Sequence, residues 1–317
     1  MKCSLGSAIS GGGSVAKALD EGFDGAAWST RRVTPLLVFT TAIWGVTFLI
    51  VKDEVASMPA MQFLALRFSL ATLLLGILWP RAVLAIRRRT LFRGAALGAS
   101  LSVGMVLQTL GLQHTSAAIS GFLTGLQVVF VPLLAWLMLH QRSSLRTVTS
   151  VVVATGGLAW MTFGGISFGI GATLTLFGAL SFGMQIIGLG AWSAEENMYA
   201  LTFVQIAIVA LVGWLGAIPA GLDLSISMNG WLGILATGAF ATAFALVLQT
   251  WAQALISPTK AGIIYTLEPA FAALFAFLGG ERVAISTLEG GSLVLVAMVL
   301  VESGPQKEVV APTHSGE

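Results

Sequence analysis

The sequence predicts an all-α integral membrane protein of ten transmembrane helices, arranged as two inverted five-helix repeats. Three observations carry the prediction: the composition, the spacing of apolar runs, and a short stretch that occurs twice. Hydrophobic residues make up 56% of the 317 and charged residues only 9%. Mean hydropathy is +0.91. A soluble domain carries roughly 25% charged residues, which cover its surface. This chain has too few to wet a 33.0 kDa globule.

The spacing of the apolar runs sets the element count. A bilayer core about 30 Å thick is crossed by about 20 apolar residues at 1.5 Å each. That window finds five spans near 35–52, 62–80, 92–112, 118–139 and 146–164. Five more lie near 169–191, 199–219, 230–251, 259–278 and 286–302. The connections are short and often marked by proline, as at Pro59, Pro80, Pro219 and Pro258.

Orientation follows from the basic residues. With the N-terminus inside, Arg31, Arg32, Arg81, Arg87, Arg88, Arg89, Arg93, Arg142, Arg146 and Lys260 all fall on the cytoplasmic side. Only Lys52 and Arg282 fall outside. Such a bias is the positive-inside pattern, and it accounts for the pI near 8.9 without a nucleic-acid partner. The run Ile86–Arg89 is read as a topology determinant. Residues 1–34 are Gly/Ser-rich, lack the apolar core of a signal peptide, and are expected to be a disordered cytoplasmic tail; an overextended translation start is the alternative. Residues 303–317 are expected to be a second polar tail. The single cysteine, Cys3, excludes an intrachain disulfide.

The duplicated stretch is VLQT, at Val106–Thr109 and Val247–Thr250. An ungapped shift of 141 residues aligns Val106–Leu137 with Val247–Leu278, and eleven of the thirty-two positions are identical. Two tandem copies of an odd number of spans must enter the membrane with opposite orientation. Inverted repeats of this kind are a mark of secondary carriers, with the site near the midplane between the halves.

Several strings carry a family resemblance: WGVTF (Trp44–Phe48) with Lys52, ALRF with Arg67, Leu112–Leu139, and SPTKAGIIYTLEPAFAALFAFLGGERV (Ser257–Val283). On these the chain resembles the EamA-type transporters of the drug/metabolite transporter superfamily, over about residues 35–303. The resemblance implies ten helices in two repeats (35–164 and 169–302), cytoplasmic termini, and a bacterial inner-membrane location. It also implies export or exchange of small metabolites such as amino acids through a central cavity. Two departures make the halves unlike: His140 stands where the second half has Glu281, and Gln127–Val128 where it has Glu268–Pro269.

Ionisable residues inside spans are costly, at about 2.5–3.5 kcal/mol each on insertion scales, and usually mark a cavity or a partner. Glu268 sits about halfway along span 9. It is read as a ligand for a substrate ammonium or as a proton acceptor, with a structural acid as the alternative. Pro269 removes an amide and frees a carbonyl one turn earlier; with Pro132 in span 4 it is a hinge candidate. Arg67 is read first as a snorkelling or ion-paired residue near the outer third of span 2, with carboxylate binding as the alternative. Gln108 and Gln249, in the duplicated block, are read either as cavity walls or as helix ties. Trp44, Tyr265, Gln127 and Gln185 complete the wall candidates. Lys52, beside Asp53 and Glu54, is expected at the outer interface. The pairs Gly94/Gly98 and Gly121/Gly125 read as close helix contacts.

Other classes fit less well. An intramembrane serine protease needs a Ser–His pair within the membrane, and His114 and His140 lie at span ends. There is no paired intramembrane acid for an aspartyl mechanism, no metal-ligand cluster, and no phosphate-binding loop for ATP-driven transport. No enzyme, cofactor or metal is expected. The expected substrate is a zwitterionic or neutral small molecule, with drug-like compounds as the alternative. Lipid is the surrounding partner, proton coupling is a candidate, and a homodimer stays open.

Overall fold

The structure, a computed structural model, describes residues 30–139, 145–163, 169–223, 225–255 and 264–302. The expected tails over 1–29 and 303–317 lie outside these residues, as do His140, Arg142, Pro258 and Lys260. Every regular element among the described residues is a helix.

The first half comprises α1 (Thr30–Ser57), α2 (Ala60–Leu78), a short α3 (Pro80–Leu84), α4 (Arg88–Leu112), α5 (Ala117–Gly125), α6 (Gln127–Leu139) and α7 (Leu145–Phe163). The second half has α8 (Ile170–Trp192), α9 (Met198–Ala220), α10 (Met228–Ala236), a π-helical turn (Thr237–Phe244) and α11 (Ala245–Leu255). It closes with α12 (Leu267–Leu278) and α13 (Ile285–Glu302). Helix α1 begins inside the stretch expected to be tail; Pro35 lies in its second turn. Among the described residues, six helices are long and apolar enough to cross a membrane: α1, α2, α4, α8, α9 and the continuous run from α10 to α11. Four shorter apolar helices occupy the remaining apolar segments, including Ala117–Val131 and Leu267–Leu278.

Local chemistry sets several boundaries. The Ser116 hydroxyl accepts from Ile119 N–H to open α5, Asn197 Oδ1 accepts from two amides to open α9, and Ser227 caps α10. Gly221 ends α9 with φ +87°, and Gly280 turns the chain after α12 with φ +89°, a region that favours glycine. The chain breaks at Thr266, where Pro269 cannot donate to the Tyr265 carbonyl. A matching break falls at Leu126. Helix α6 runs through Pro132 without interruption. That hinge candidate is therefore displaced: the first-half break lies after Gly125, whose missing Cβ leaves room for the Pro269 ring.

Packing pairs follow the duplication. A shift of 141 residues carries α1 over α8, α2 over α9, α4 over the α10–α11 run, α5–α6 over α12, and α7 over α13. Correspondingly, α2 packs on α9, α7 on α13 and α5 on α12, each on its own equivalent. The remaining major contacts come in equivalent pairs: α4 on α8 with α1 on the π turn and α11, α4 on α9 with α2 on the π turn, and α1 on α12 with α8 on α5 and α6. Glycines permit the closest approaches. Gly94 and Gly98 face Val204 and Gln205, Gly121 faces Ala272, and Gly125 faces Pro269.

Candidate functional site

Between the halves lies a cavity of about 700 Å³ of atom-free space, its mouth included. All eight wall candidates line it: Trp44 from α1, Arg67 from α2, Gln108 from α4, Gln127 at the head of α6, Gln185 from α8, Gln249 from α11, Tyr265, and Glu268 in the first turn of α12. The rest of the wall is largely apolar, with Phe48, Phe68, Met105 and Phe182 among its members.

Arg67 is 4% exposed and Glu268 5%. Snorkelling is therefore overturned for Arg67, because the side chain is buried and lines the cavity. Its Nε donates to Thr242 Oγ1 at 2.8 Å, and its guanidinium carbon lies 5.4 Å from the Phe68 ring centroid. The two terminal nitrogens have no hydrogen-bond partner among the described residues. Glu268 Oε2 accepts from Gln127 Nε2 at 3.4 Å, which leaves Oε1 open to the cavity. No ion pair joins Arg67 to Glu268 among the described residues. One buried guanidinium and one buried carboxyl group thus share a cavity, each with polar atoms left free.

Three of the remaining polar side chains are hydrogen-bonded to neighbours. Gln108 Nε2 donates to Thr124 Oγ1 at 3.0 Å. Gln185 Nε2 donates to Gln205 Oε1 at 3.1 Å. Trp44 Nε1 donates to the Ala241 carbonyl at 3.0 Å, in the π turn, and its ring lies 5.8 Å from that of Tyr265. Gln249 lies beside the Tyr265 hydroxyl but outside hydrogen-bonding geometry, so the buried Oη has no partner among the described residues.

The 141-residue shift pairs much of this wall. Trp44 is equivalent to Gln185, Leu101 to Thr242, Met105 to Leu246, Gln108 to Gln249, Thr124 to Tyr265, and Gln127 to Glu268. The last two touch each other, as residues beside a two-fold axis do. Yet most pairs differ in chemistry, and that divergence makes the cavity asymmetric. Sequence reasoning missed Thr124, Gln205 and Thr242. The repeat offset from Tyr265 would have found Thr124; nothing in the sequence marks Thr242, whose equivalent is a leucine.

Charged residues outside the cavity join the halves at both ends of the bundle. Lys52 pairs with Glu281, which also accepts from the Ala117 amide at 3.1 Å. Glu54 fits a notch on α10 where a Cβ at Gly233 would fall 2.3 Å from its carboxylate. Near this end, the hydroxyl and amide of Ser225 hold the Asp223 carboxyl below the usual aspartate range. At the opposite end Arg93 bonds Glu195 at 2.9 Å and Glu196 at 2.8 Å, and Arg89 pairs with Glu195. Among the described residues no group of three His, Cys, Asp or Glu is placed to hold a metal.

Comparison with known proteins agrees with this architecture. A transporter of Archaeoglobus fulgidus whose activity is uncharacterized is 31% identical over 267 residues, 84% of each chain. The uncharacterized transporter YoaV of Bacillus subtilis is 22% identical, covering 81% of this chain and 92% of its own. A solved crystal structure shares the fold, with a TM-score of 0.62 at 16% identity over 86% of this chain and 96% of that one. The family model for EamA-like transporters matches twice, at residues 33–163 and 169–303. The protein is a multi-pass membrane transporter rather than an enzyme, and it belongs to the EamA-like transporter family.

Proposed function

We propose that this chain is a secondary active carrier that exports a small zwitterionic metabolite, of amino-acid type, by alternating access. The single observation that carries the reading is the cavity holding Arg67 and Glu268 apart, each with free polar atoms. A molecule with one carboxylate and one ammonium satisfies both at once. Either group alone would leave a buried charge uncompensated, at a cost of several kcal/mol in a low-dielectric site. Arg67 takes the carboxylate and Glu268 the ammonium, while Gln185 and Gln249 supply neutral hydrogen bonds and Trp44 and Tyr265 close one wall. Glu268 also accepts the coupling proton when the ammonium is absent. Breaks at Leu126 and Thr266, with Pro269, act as the hinge.

The ten-span inverted reading rests on the odd span count of each repeat, the basic residues, and the packing of α2, α5 and α7 on their own equivalents. In it both termini are cytoplasmic, the Lys52–Glu281 end faces outward, and the membrane is the bacterial inner membrane. Counterflow in proteoliposomes tests the substrate class: vesicles loaded with unlabelled amino acids should accumulate labelled ones saturably. Accumulation of hydrophobic dyes or cations instead, with amino acids inert, would favour the drug-like alternative, for which Phe48, Phe68, Met105 and Phe182 are the natural walls.

A further inference from the structure

We propose that Thr242 is a positioning residue that aims the Arg67 guanidinium at a substrate carboxylate, and so sets the cavity's preference for carboxylate-bearing molecules. The inference rests on the zwitterion reading above.

The geometry is specific to a π turn. Thr242 Oγ1 donates its proton to the Thr237 carbonyl, five residues back, at 2.9 Å. Elsewhere the hydroxyls of Thr40, Thr47, Thr72 and Thr250 reach the carbonyl four residues back, as in an ordinary helix. Widening to the π form moves the acceptor by one residue. With its proton committed, the hydroxyl presents a lone pair to Arg67 Nε at 2.8 Å.

That one bond fixes the whole fork. The guanidinium is planar, so holding Nε sets the direction of the two terminal nitrogens, the pair that grips a carboxylate bidentately. The turn is itself anchored by the first half. Trp44 Nε1 bonds the Ala241 carbonyl, and Gly238 packs so closely that a Cβ there would sit 2.9 Å from the Arg67 carbonyl.

The duplication isolates this device. The equivalent first-half stretch, 96–103, lies within the α-helix Arg88–Leu112. There Leu101 stands in place of Thr242, and Ile208 stands in place of Arg67. Both members of the contact depart from their equivalents together, and only there does the wall acquire a cation.

The test uses the full chain in proteoliposomes, with L-leucine and L-phenylalanine as labelled probes and leucinol and phenylalaninol as competitors that lack the carboxylate. Wild-type protein should prefer the acids over the alcohols. Thr242→Val should raise KM for the acids roughly tenfold, the scale of one hydrogen bond to a charged group, with Vmax and the alcohols' inhibition unchanged. Thr242→Ser should keep the wild-type preference. Should the valine variant fail to reconstitute, Thr242→Ala is read by the same acid-to-alcohol ratio. An unchanged ratio in the variant lacking the hydroxyl, or a serine variant that loses the preference, overturns the proposal. Wild-type protein that transports neither acid overturns the zwitterion reading and this inference with it. The two failures are thus distinct.

Discussion

Glu268 is the residue on which charge bookkeeping in the cavity turns, because it is the acid of the wall and touches its own repeat equivalent. A glutamine in its place can still accept from Gln127, so the fold should survive the change. Glu268→Gln is expected to keep counterflow of a neutral or zwitterionic substrate at a reduced rate. Acceleration by an imposed pH gradient should vanish. Transport that still responds to the gradient in E268Q would remove Glu268 as the proton acceptor. Its importance was readable from a lone acid inside an apolar span. The cavity-facing place of Arg67 was not, since an arginine at that depth reads first as snorkelling or ion-paired. Only the contact with Thr242, 175 residues away, turns its head inward.

Helix contacts without Cβ atoms decide stability at the level of elements. At Gly121 an added Cβ would fall 2.4 Å from that of Ala272, forcing α5 off α12. Gly156, on α7, has nothing within 4 Å of its Cβ position. Gly121→Ala is therefore expected to destabilise the protein by about 1–3 kcal/mol, as overpacking does. Gly156→Ala should be neutral or slightly stabilising through helix propensity. Melting temperatures of the two purified variants in one detergent check this, and equal shifts would contradict the packing. The glycine pair was legible as a close contact, and Pro269 as a break. The break at Leu126 was not, because no proline marks it in its own stretch and the Pro269 ring beside Gly125 comes from the other half. The π turn was hidden for a similar reason: no proline marks it, and the contacts that hold it come from Trp44 and Arg67 in the other half.

For the molecule as a whole, the two halves are tied at each end by charge. Lys52 with Glu281 holds α1 to the exit of α12; Arg89 and Arg93 with Glu195 and Glu196 hold α4 to the exit of α8. In a carrier that opens alternately, such ties must break in turn. Glu281→Gln should favour opening at the Lys52 end. With Cys3 replaced by serine and Thr47→Cys placed on the cavity wall, thiol labelling from that side should speed up several-fold, in keeping with about 0.2–1 kcal/mol for a partly exposed pair. Exchanging the charges, Lys52→Glu with Glu281→Lys, should restore labelling only in part, because a lysine cannot accept the Ala117 amide. Full restoration would show that the amide contact contributes nothing.

Composition and periodicity by themselves determined that the chain is a helical membrane protein, and the 141-residue repeat determined how it is divided, because both follow from local statistics that burial in lipid enforces. The repeat also pointed to Gln108 and Gln249 in the cavity wall. What only the tertiary structure decided is which member of each diverged pair does the chemistry. Thr242 lies far from Arg67 in sequence, in a turn whose hydrogen-bond register is set by side chains from the opposite half. Contacts between distant segments leave no periodic signal, so their consequences emerge only when the two halves pack.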